Sequence, residues 1–207
     1  MIQLPAIFDH KNGFWVDDDY RIACAKSSKR STKARMIVLH WTAAPKKTIE
    51  GNLDRIISWA GNASDKSSTH FVILRDGSTW QLVSTELASW NAGNSKWRCA
   101  DGTSSSKSVN GFSIGIDFDL VGPLTPKGDD FVDCYGGAFD GEAERAADGK
   151  WYEPPTAAQM WACRILVDAL RAKYGIATAD IVGHLDVSPG RKIDPGPFVT
   201  RKTLGIE

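Results

Sequence analysis

The sequence predicts an α/β fold: a single domain in which a central mixed β-sheet is flanked by α-helices. Three observations favour this class. Short apolar runs typical of buried strands, such as 36–41 and 71–74, alternate with two segments of helical periodicity. Asp76-Gly77 joins two of the runs, which is typical of a β-hairpin. The remaining runs are connected through the helical segments, and such crossovers allow strands to lie parallel.

Two amphipathic helices are predicted. Thr48 is a candidate N-cap, and the first helix ends at Gly61. The apolar residues expected to pack this helix on the sheet are Ile49, Leu53, Ile56, Ile57 and Ala60. The second helix opens with a capping box at Thr156 and Gln159 and stops at Gly175. Its predicted buried stripe comprises Cys163, Leu166, Val167, Leu170 and Tyr174.

Two segments lie outside this alternation. Residues 1–35 are interpreted as an N-terminal extension to a main domain at 36–207, and Lys26–Lys33 in it as an exposed basic loop. Trp15, Tyr20 and Ile22 are candidates to pack on the domain. Residues 121–155 form a long insert that is rich in aromatics. Connections of this length are usually functional or disordered, and either a wall of a substrate groove or a surface excursion with a small hairpin fits the insert.

Composition narrows the class of protein. Lys plus Arg and Asp plus Glu number 25 each, and no basic block carries interleaved aromatics, so we expect no nucleic-acid partner. No apolar run reaches the roughly 18 residues of a transmembrane helix, so no membrane insertion is expected. The first 20 residues lack the pattern of a signal peptide, which predicts synthesis in the cytoplasm. The four widely spaced cysteines form no CxxC pair, which disfavours a cysteine zinc site but leaves one disulfide possible.

The stretch 180–198 carries the clearest chemical signal. His184 follows the apolar run Ile181-Val182, and a turn rich in Ser, Pro and Gly leads to Asp194. If the loop folds back, the imidazole and the carboxylate can meet at one ion. Zinc takes such nitrogen and oxygen ligands and prefers four of them in a tetrahedron. The stretch therefore predicts two ligands of a zinc site whose fourth position holds water.

The third ligand is sought among the other histidines, His10, His40 and His70. His40 ends the apolar run 36–39 and so occupies the same kind of position as His184, at the end of a buried strand. His70 begins a strand, and His10 lies in a polar leader. His40 is therefore the predicted third ligand. Taken one at a time, each histidine is more simply interpreted as a core or surface residue, and only the strand-edge histidines together with Asp194 favour a metal site.

Five motifs occur in an order that resembles a known family. They are VLHWTA at 38–43, STHFVILRDGSTWQLV at 68–83, SWNAG at 89–93, NGFSIGIDF at 110–118 and GHLDVSPGRKIDPGP at 183–197. The chain resembles the zinc-dependent N-acetylmuramoyl-L-alanine amidases of type 2 over roughly 36–199. That family includes phage endolysins, cell-wall recycling amidases and peptidoglycan recognition proteins. The resemblance implies that 36–207 is a zinc amidase catalytic domain, acting as a monomer on peptidoglycan or muropeptides.

The resemblance also implies roles for individual residues. Asp117 stands where the family usually has Glu and is the expected general base. Lys192 is expected to stabilise the oxyanion of the tetrahedral intermediate. The residues expected to contact substrate are His70, Trp90, Asn91 and Arg191. The alternatives are a peptidoglycan-binding receptor, which shares the fold but typically lacks a zinc ligand, and a structural zinc domain, which would not explain Lys192 or Asp117.

Overall fold

The computed structural model describes residues 13–45 and 48–206, so His10 and Lys46 lie outside it. The helices are α1 (Ile49–Gly61), α2 (Ala157–Tyr174) and the short α3 (His184–Val187), with 3-10 turns at Asp18–Tyr20 and Thr178–Asp180. The first strands are β1 (Ser27–Lys29), β2 (Met36–Trp41), β3 (Phe71–Ile73), β4 (Thr79–Gln81), β5 (Leu87–Ser89), β6 (Trp97–Arg98) and β7 (Ser104–Ser105). The others are β8 (Ser113–Phe118), β9 (Pro123–Lys127), β10 (Asp130–Val132), β11 (Ala138–Phe139), β12 (Glu144–Arg145), β13 (Trp151–Tyr152) and β14 (Ile181–Gly183).

The central sheet is mixed, as predicted. Its strand order is β14-β2-β8-β3-β4; the first four strands are parallel, and β4 is antiparallel to β3 through the expected hairpin. Parallel strands covered on both faces read as continuous apolar runs, and the first five residues of β2 are all buried. The Asp-Gly turn and these runs are thus the local causes of the topology.

The register brings three strand ends together. Leu39 of β2 pairs with Gly183 of β14 on one side and with Ile116 of β8 on the other. One residue further on, His40 pairs with Asp117. The carboxyl ends of β14, β2 and β8 therefore lie side by side at one edge of the sheet.

Helix α2 covers one face of the sheet. The Thr156 hydroxyl accepts a hydrogen bond from the backbone N–H of Gln159, and the Gln159 side chain accepts one from the backbone N–H of Thr156, which completes the predicted capping box. Gly175 ends the helix in the left-handed conformation at φ 68°. The predicted stripe is buried, and it packs in the main core against residues such as Ile37 and Ile116.

Helix α1 covers the opposite face, where it packs on the alternate residues of β3 and β4. Thr48 caps it as predicted, accepting a hydrogen bond from the Gly51 amide. The prediction was wrong for Ile57, which is 47% exposed because Ile56 and Ala60 form the side that faces the sheet. The polar residue Asn52 is completely buried instead.

The described part of the N-terminal extension, 13–35, belongs to the same packed body. Trp15 joins the main core, and Ile22 packs with the residues under α1. The prediction of an exposed basic loop at Lys26–Lys33 holds for Lys29 and Lys33, which are exposed, but was wrong for Lys26. Lys26 is only 5% exposed, since its ammonium donates to the Trp59 carbonyl at the end of α1, and β1 pairs with β5.

The insert 121–155 is more than a small hairpin. Its strands form a second five-stranded sheet in the order β11-β10-β9-β13-β12. A small apolar cluster of Val121, Leu124 and Phe139 lies within it. Of the helices described, none combines the length and apolarity needed to cross a membrane.

Candidate active site

Three predicted ligands converge at the edge where the parallel strands end. The Nδ1 atoms of His40 and His184 and the Oδ2 atom of Asp194 lie 3.0 Å from one another along all three edges of a triangle. All three residues are buried. His40 and His184 are 144 positions apart in the chain, so the sheet register rather than local sequence brings them together.

A backbone hydrogen bond and a close approach at Gly183 bring Asp194 next to the two histidines. His184 immediately follows β14 and begins α3, and the Leu185 amide donates to the Asp194 carbonyl at 2.9 Å. Gly183 permits this close return, because a Cβ atom there would lie 2.7 Å from the Cδ of Pro195. The glycine is thus required by the approach of the ligand loop to the strand end.

The donor set fits a zinc ion. One proton cannot satisfy three close contacts among two imidazole nitrogens and a carboxylate oxygen, whereas a cation at their centre can. Zinc bonds of 2.0–2.1 Å in a tetrahedron separate neighbouring ligand atoms by about 3.3 to 3.4 Å, close to the observed triangle. The Nε2 atom of His184 lies 3.1 Å from the Ala92 carbonyl. Donation from Nε2 to that carbonyl leaves the Nδ1 lone pair for the metal.

Burial and mutual contacts set the protonation of this cluster. Burial lowers the pKa of His184 below its ordinary value, which favours the neutral imidazole that a metal needs. Burial alone would raise the pKa of Asp194, but the hydrogen bonds from His184 and His40 hold it well below its usual range. The carboxylate is therefore ionised, as a ligand must be.

Asp117 faces the same space as the cluster. It is the cross-strand partner of His40 and lines a cavity of about 430 Å³ together with the three ligands. Its Oδ1 atom is buried and has no hydrogen-bond partner among the described residues. Burial raises the pKa of Asp117 to about 6. The carboxylate is thus held in a position where it can exchange a proton near neutral pH.

Three other predicted residues share this cavity. Lys192, Trp90 and Asn91 all line it. Lys192 is exposed and brings a cation to the mouth of the cavity, whereas Trp90 and Asn91 are half-buried. The Asn91 amide nitrogen donates to the Ser89 hydroxyl at 2.7 Å, while its oxygen has no partner among the described residues.

Two members of the predicted substrate-binding set do not line the cavity. His70 is completely buried, and Gly115, Ser89 and the Leu87 carbonyl surround its ring nitrogens. The expectation that His70 contacts substrate is corrected on this ground, since its nitrogens already hold strands together.

Arg191 does not line the cavity and instead contacts the segment beside His184. Its guanidinium donates to the Ala92 and Asn94 carbonyls at 2.9 and 2.8 Å. Ala92 is the same carbonyl that His184 contacts. Arg191 therefore fixes the segment that contacts His184, and the expectation that it contacts substrate is corrected on this ground.

Sequence reasoning missed several polar residues of the cavity, among them Arg55 from α1, Asp119 just after β8 and Tyr135 from the insert. Asp119 lies two residues after Asp117, and side chains two positions apart in an extended chain lie on the same face, so the spacing of the two carboxylates carries a signal for it. Arg55 resembles any residue on the wet face of a helix. Tyr135 is one of several aromatics in the insert, and nothing in its local sequence sets it apart.

Comparison with known proteins identifies the family. A family profile described as N-acetylmuramoyl-L-alanine amidase matches residues 30–197. The amidase AmiD of Escherichia coli K12 is 28% identical over 174 residues, which cover 80% of this chain and 50% of AmiD. The 1,6-anhydro-N-acetylmuramyl-L-alanine amidase AmpD of Haemophilus influenzae is 26% identical over 175 residues, covering 79% and 76%. The chain thus spans half the length of the E. coli relative.

Solved structures show the same fold. A selenomethionine derivative of AmpD superposes with a TM-score of 0.65 at 21% identity, covering 94% of this chain and 96% of that one. AmiD from E. coli, in complex with anhydro-N-acetylmuramic acid-L-Ala-D-gamma-Glu-L-Lys, gives a TM-score of 0.58 at 24% identity, covering 95% and 63%. With the family profile matching most of its length, the chain belongs to the N-acetylmuramoyl-L-alanine amidase family.

Proposed function

We propose that this protein is a zinc-dependent enzyme that hydrolyses the amide bond between N-acetylmuramic acid and L-alanine in peptidoglycan or its fragments. The observation that supports this most is the triangle of His40, His184 and Asp194, whose ligand atoms are 3.0 Å apart. It opens into a cavity that also contains an unpartnered carboxylate and a lysine. A purely structural zinc site would need neither.

Zinc bound by these three residues supplies a Lewis acid that polarises a carbonyl and lowers the pKa of water. Asp117 is the proposed general base. Its carboxylate takes a proton from the attacking water and delivers it to the nitrogen of the departing L-alanine. The residue is one methylene shorter than the glutamate usual in the family, and its position as the cross-strand partner of His40 supports this role.

Lys192 is proposed to stabilise the negative charge that develops on the carbonyl oxygen. Lys192 lies two residues before Asp194 in the sequence, and its side chain lines the cavity. A cation aimed at a developing oxyanion acts mainly in the transition state, so it lowers the barrier without tightening substrate binding.

Trp90 and Asn91 are proposed to hold the substrate. The indole offers an apolar face for a sugar ring or a peptide, and the Asn91 side chain lines the cavity beside it. Arg191 is proposed to act through His184. We further propose that the protein works as a monomer and that its site of action is the cell wall.

Digestion of purified sacculi tests the proposal. The expected products are stem peptides with a free L-alanine amino terminus and intact glycan strands. New reducing sugar ends would indicate a glycosidase, and cleaved cross-links an endopeptidase. Binding of sacculi without any release by the zinc-loaded protein would instead support a receptor.

A further inference from the structure

Arg55 offers an unused cation to the active-site cavity. It lies on α1, lines the cavity beside His40 and Asp117, and is half-buried. Its guanidinium donates to the Pro45 carbonyl at 2.6 Å and to the Asn52 side-chain oxygen. Both acceptors are uncharged, and among the described residues no carboxylate lies within ion-pair distance of this guanidinium. A guanidinium has five N–H donors in a planar, forked arrangement, so donors of Arg55 remain for a ligand.

A buried network holds Arg55 in place. The Asn52 amide nitrogen donates to Asp119 at 2.7 Å, and Arg75 donates to the same oxygen at 2.6 Å. Arg75 in turn makes a two-point contact with Glu153, just after β13 of the insert. Asn52 is therefore locked in one orientation, with its oxygen toward Arg55. A guanidinium held in this way loses little entropy when it binds an anion.

Tyr135 lies at the rim of the same cavity and comes from the insert. Its hydroxyl donates to the Ala43 carbonyl at 2.8 Å, while 67% of the residue is exposed. Ala43 is the one non-glycine residue of the described chain with a positive φ, at 50°. A tethered aromatic ring with an open face is suited to cover a ligand that enters the cavity.

The chemistry of a muropeptide supplies a matching anion. In the ligand bound to AmiD, the residue after L-alanine is a glutamate linked through its γ-carboxyl group. That linkage leaves the α-carboxylate free. It lies about two residues from the scissile amide, a span of at most roughly 7 Å, which is compatible with a cavity of this size.

We propose that Arg55 and Tyr135 form a subsite that binds the free α-carboxylate of the second stem-peptide residue, so that the enzyme prefers acidic over amidated stem peptides. The subsite rests on the proposed amidase function. Arg55 makes the charge-assisted contact and Tyr135 covers it. The insert thereby takes part in substrate selection through Tyr135.

The test uses two muropeptides that differ in one group: N-acetylmuramoyl-L-alanyl-D-isoglutamate and the same compound with that carboxylate amidated to D-isoglutamine. Wild-type protein loaded with zinc is expected to cleave the acid more efficiently by about 10- to 100-fold in kcat/KM, the range of a hydrogen bond to a charged group. R55Q should bring the ratio close to one by slowing cleavage of the acid alone. R55K, which keeps the charge but loses the fork, should give an intermediate ratio.

The control is R98Q, which removes an exposed arginine of β6 outside the cavity and should leave the preference unchanged. Zinc content and the melting temperature of each variant separate misfolding from lost recognition. Calorimetric binding of the product L-alanyl-D-isoglutamate should weaken in R55Q by a similar factor. Equal cleavage of both compounds by wild type, or a preference that survives R55Q, overturns the subsite while the amidase function stands. Cleavage of neither compound by zinc-loaded wild type overturns both.

Discussion

His40 and Asp117 are direct partners across the parallel pair β2 and β8, so the proposed metal ligand and the proposed base leave the same face of the sheet one strand spacing apart. The backbone ladder thus sets their separation, and no flexible loop intervenes. Sites built on strands hold their groups more precisely than sites built on loops.

Metal content is the first prediction. The wild-type protein should hold one zinc ion per chain, and H40A, H184A and D194A should each lose it, because each removes one of three protein ligands. Elemental analysis after dialysis measures this. H70Q is the matched control: His70 lies outside the triangle, so this variant should keep its zinc. Zinc retained in all three ligand variants would place the metal elsewhere.

Asp117 is the subject of the second prediction. D117N keeps the size of the side chain but removes the base, so kcat should fall by about 10²- to 10⁴-fold while zinc stays bound. D117E restores the residue usual in the family and should remain active. Turnover on a soluble muropeptide, read together with zinc content, measures both. Near-normal turnover of zinc-loaded D117N would assign the base to another residue.

The third prediction concerns Lys192. Removal of a transition-state contact to an oxyanion typically costs about 10²- to 10³-fold in kcat, so K192A should lose activity of that order with little change in KM. K173A removes an exposed lysine of α2 and serves as the control. A rise in KM at constant kcat would instead make Lys192 a substrate-binding residue.

The fourth prediction concerns stability. Arg75 is a largely buried cation, with 9% of its side chain exposed, and is held by Glu153 and Asp119. E153Q leaves part of this charge uncompensated, so the free energy of unfolding should drop by about 3–5 kcal/mol. D168N breaks the half-exposed pair with Arg164 and should cost less than about 1 kcal/mol. Urea denaturation compares the two, and equal losses would contradict the assigned role of the network.

Thiol reactivity gives the fifth prediction. All four cysteines are free, and Cys134 is the exposed one. Burial raises the pKa of Cys99 to about 12, and Cys163 is fully enclosed in the core. Iodoacetamide should therefore modify Cys134 first, and Cys99 and Cys163 only after unfolding, because alkylation requires an accessible thiolate. Peptide mapping by mass spectrometry follows the order; early labelling of Cys163 would contradict the packing.

Elements coded by local chemistry were predictable. The capping box at Thr156 marked the start of α2 and Gly175 marked its end. The Asp76-Gly77 turn marked the hairpin between β3 and β4. The meeting of the two histidines followed from the same kind of signal, because His40 lies near the end of β2 and His184 directly follows β14. Asp194 required the additional assumption that its loop folds back.

Features that depend on distant partners were not predictable. Asn52 looks like a polar residue of a helix surface, and its burial follows only from Asp119, 67 positions away. Lys26 appears to be part of a solvated basic run until the end of α1 is placed beside it. β9 contains Pro123 and Pro126, which argue against a strand, yet it pairs with β13 along its first half and with β10 along its second.

The parallel register has a thermodynamic consequence. His40, His184 and Asp194 meet only when β14 has docked beside β2, so an unfolded chain offers the ion no comparable site. A zinc ion bound there should increase the free energy of unfolding by RT ln(1 + [Zn²⁺]/Kd). The unfolding midpoint should therefore rise with free zinc concentration, and hydrogen exchange at β14 should accelerate on chelation. An unfolding midpoint independent of zinc would show that β14 docks without help, leaving the ion to serve chemistry alone.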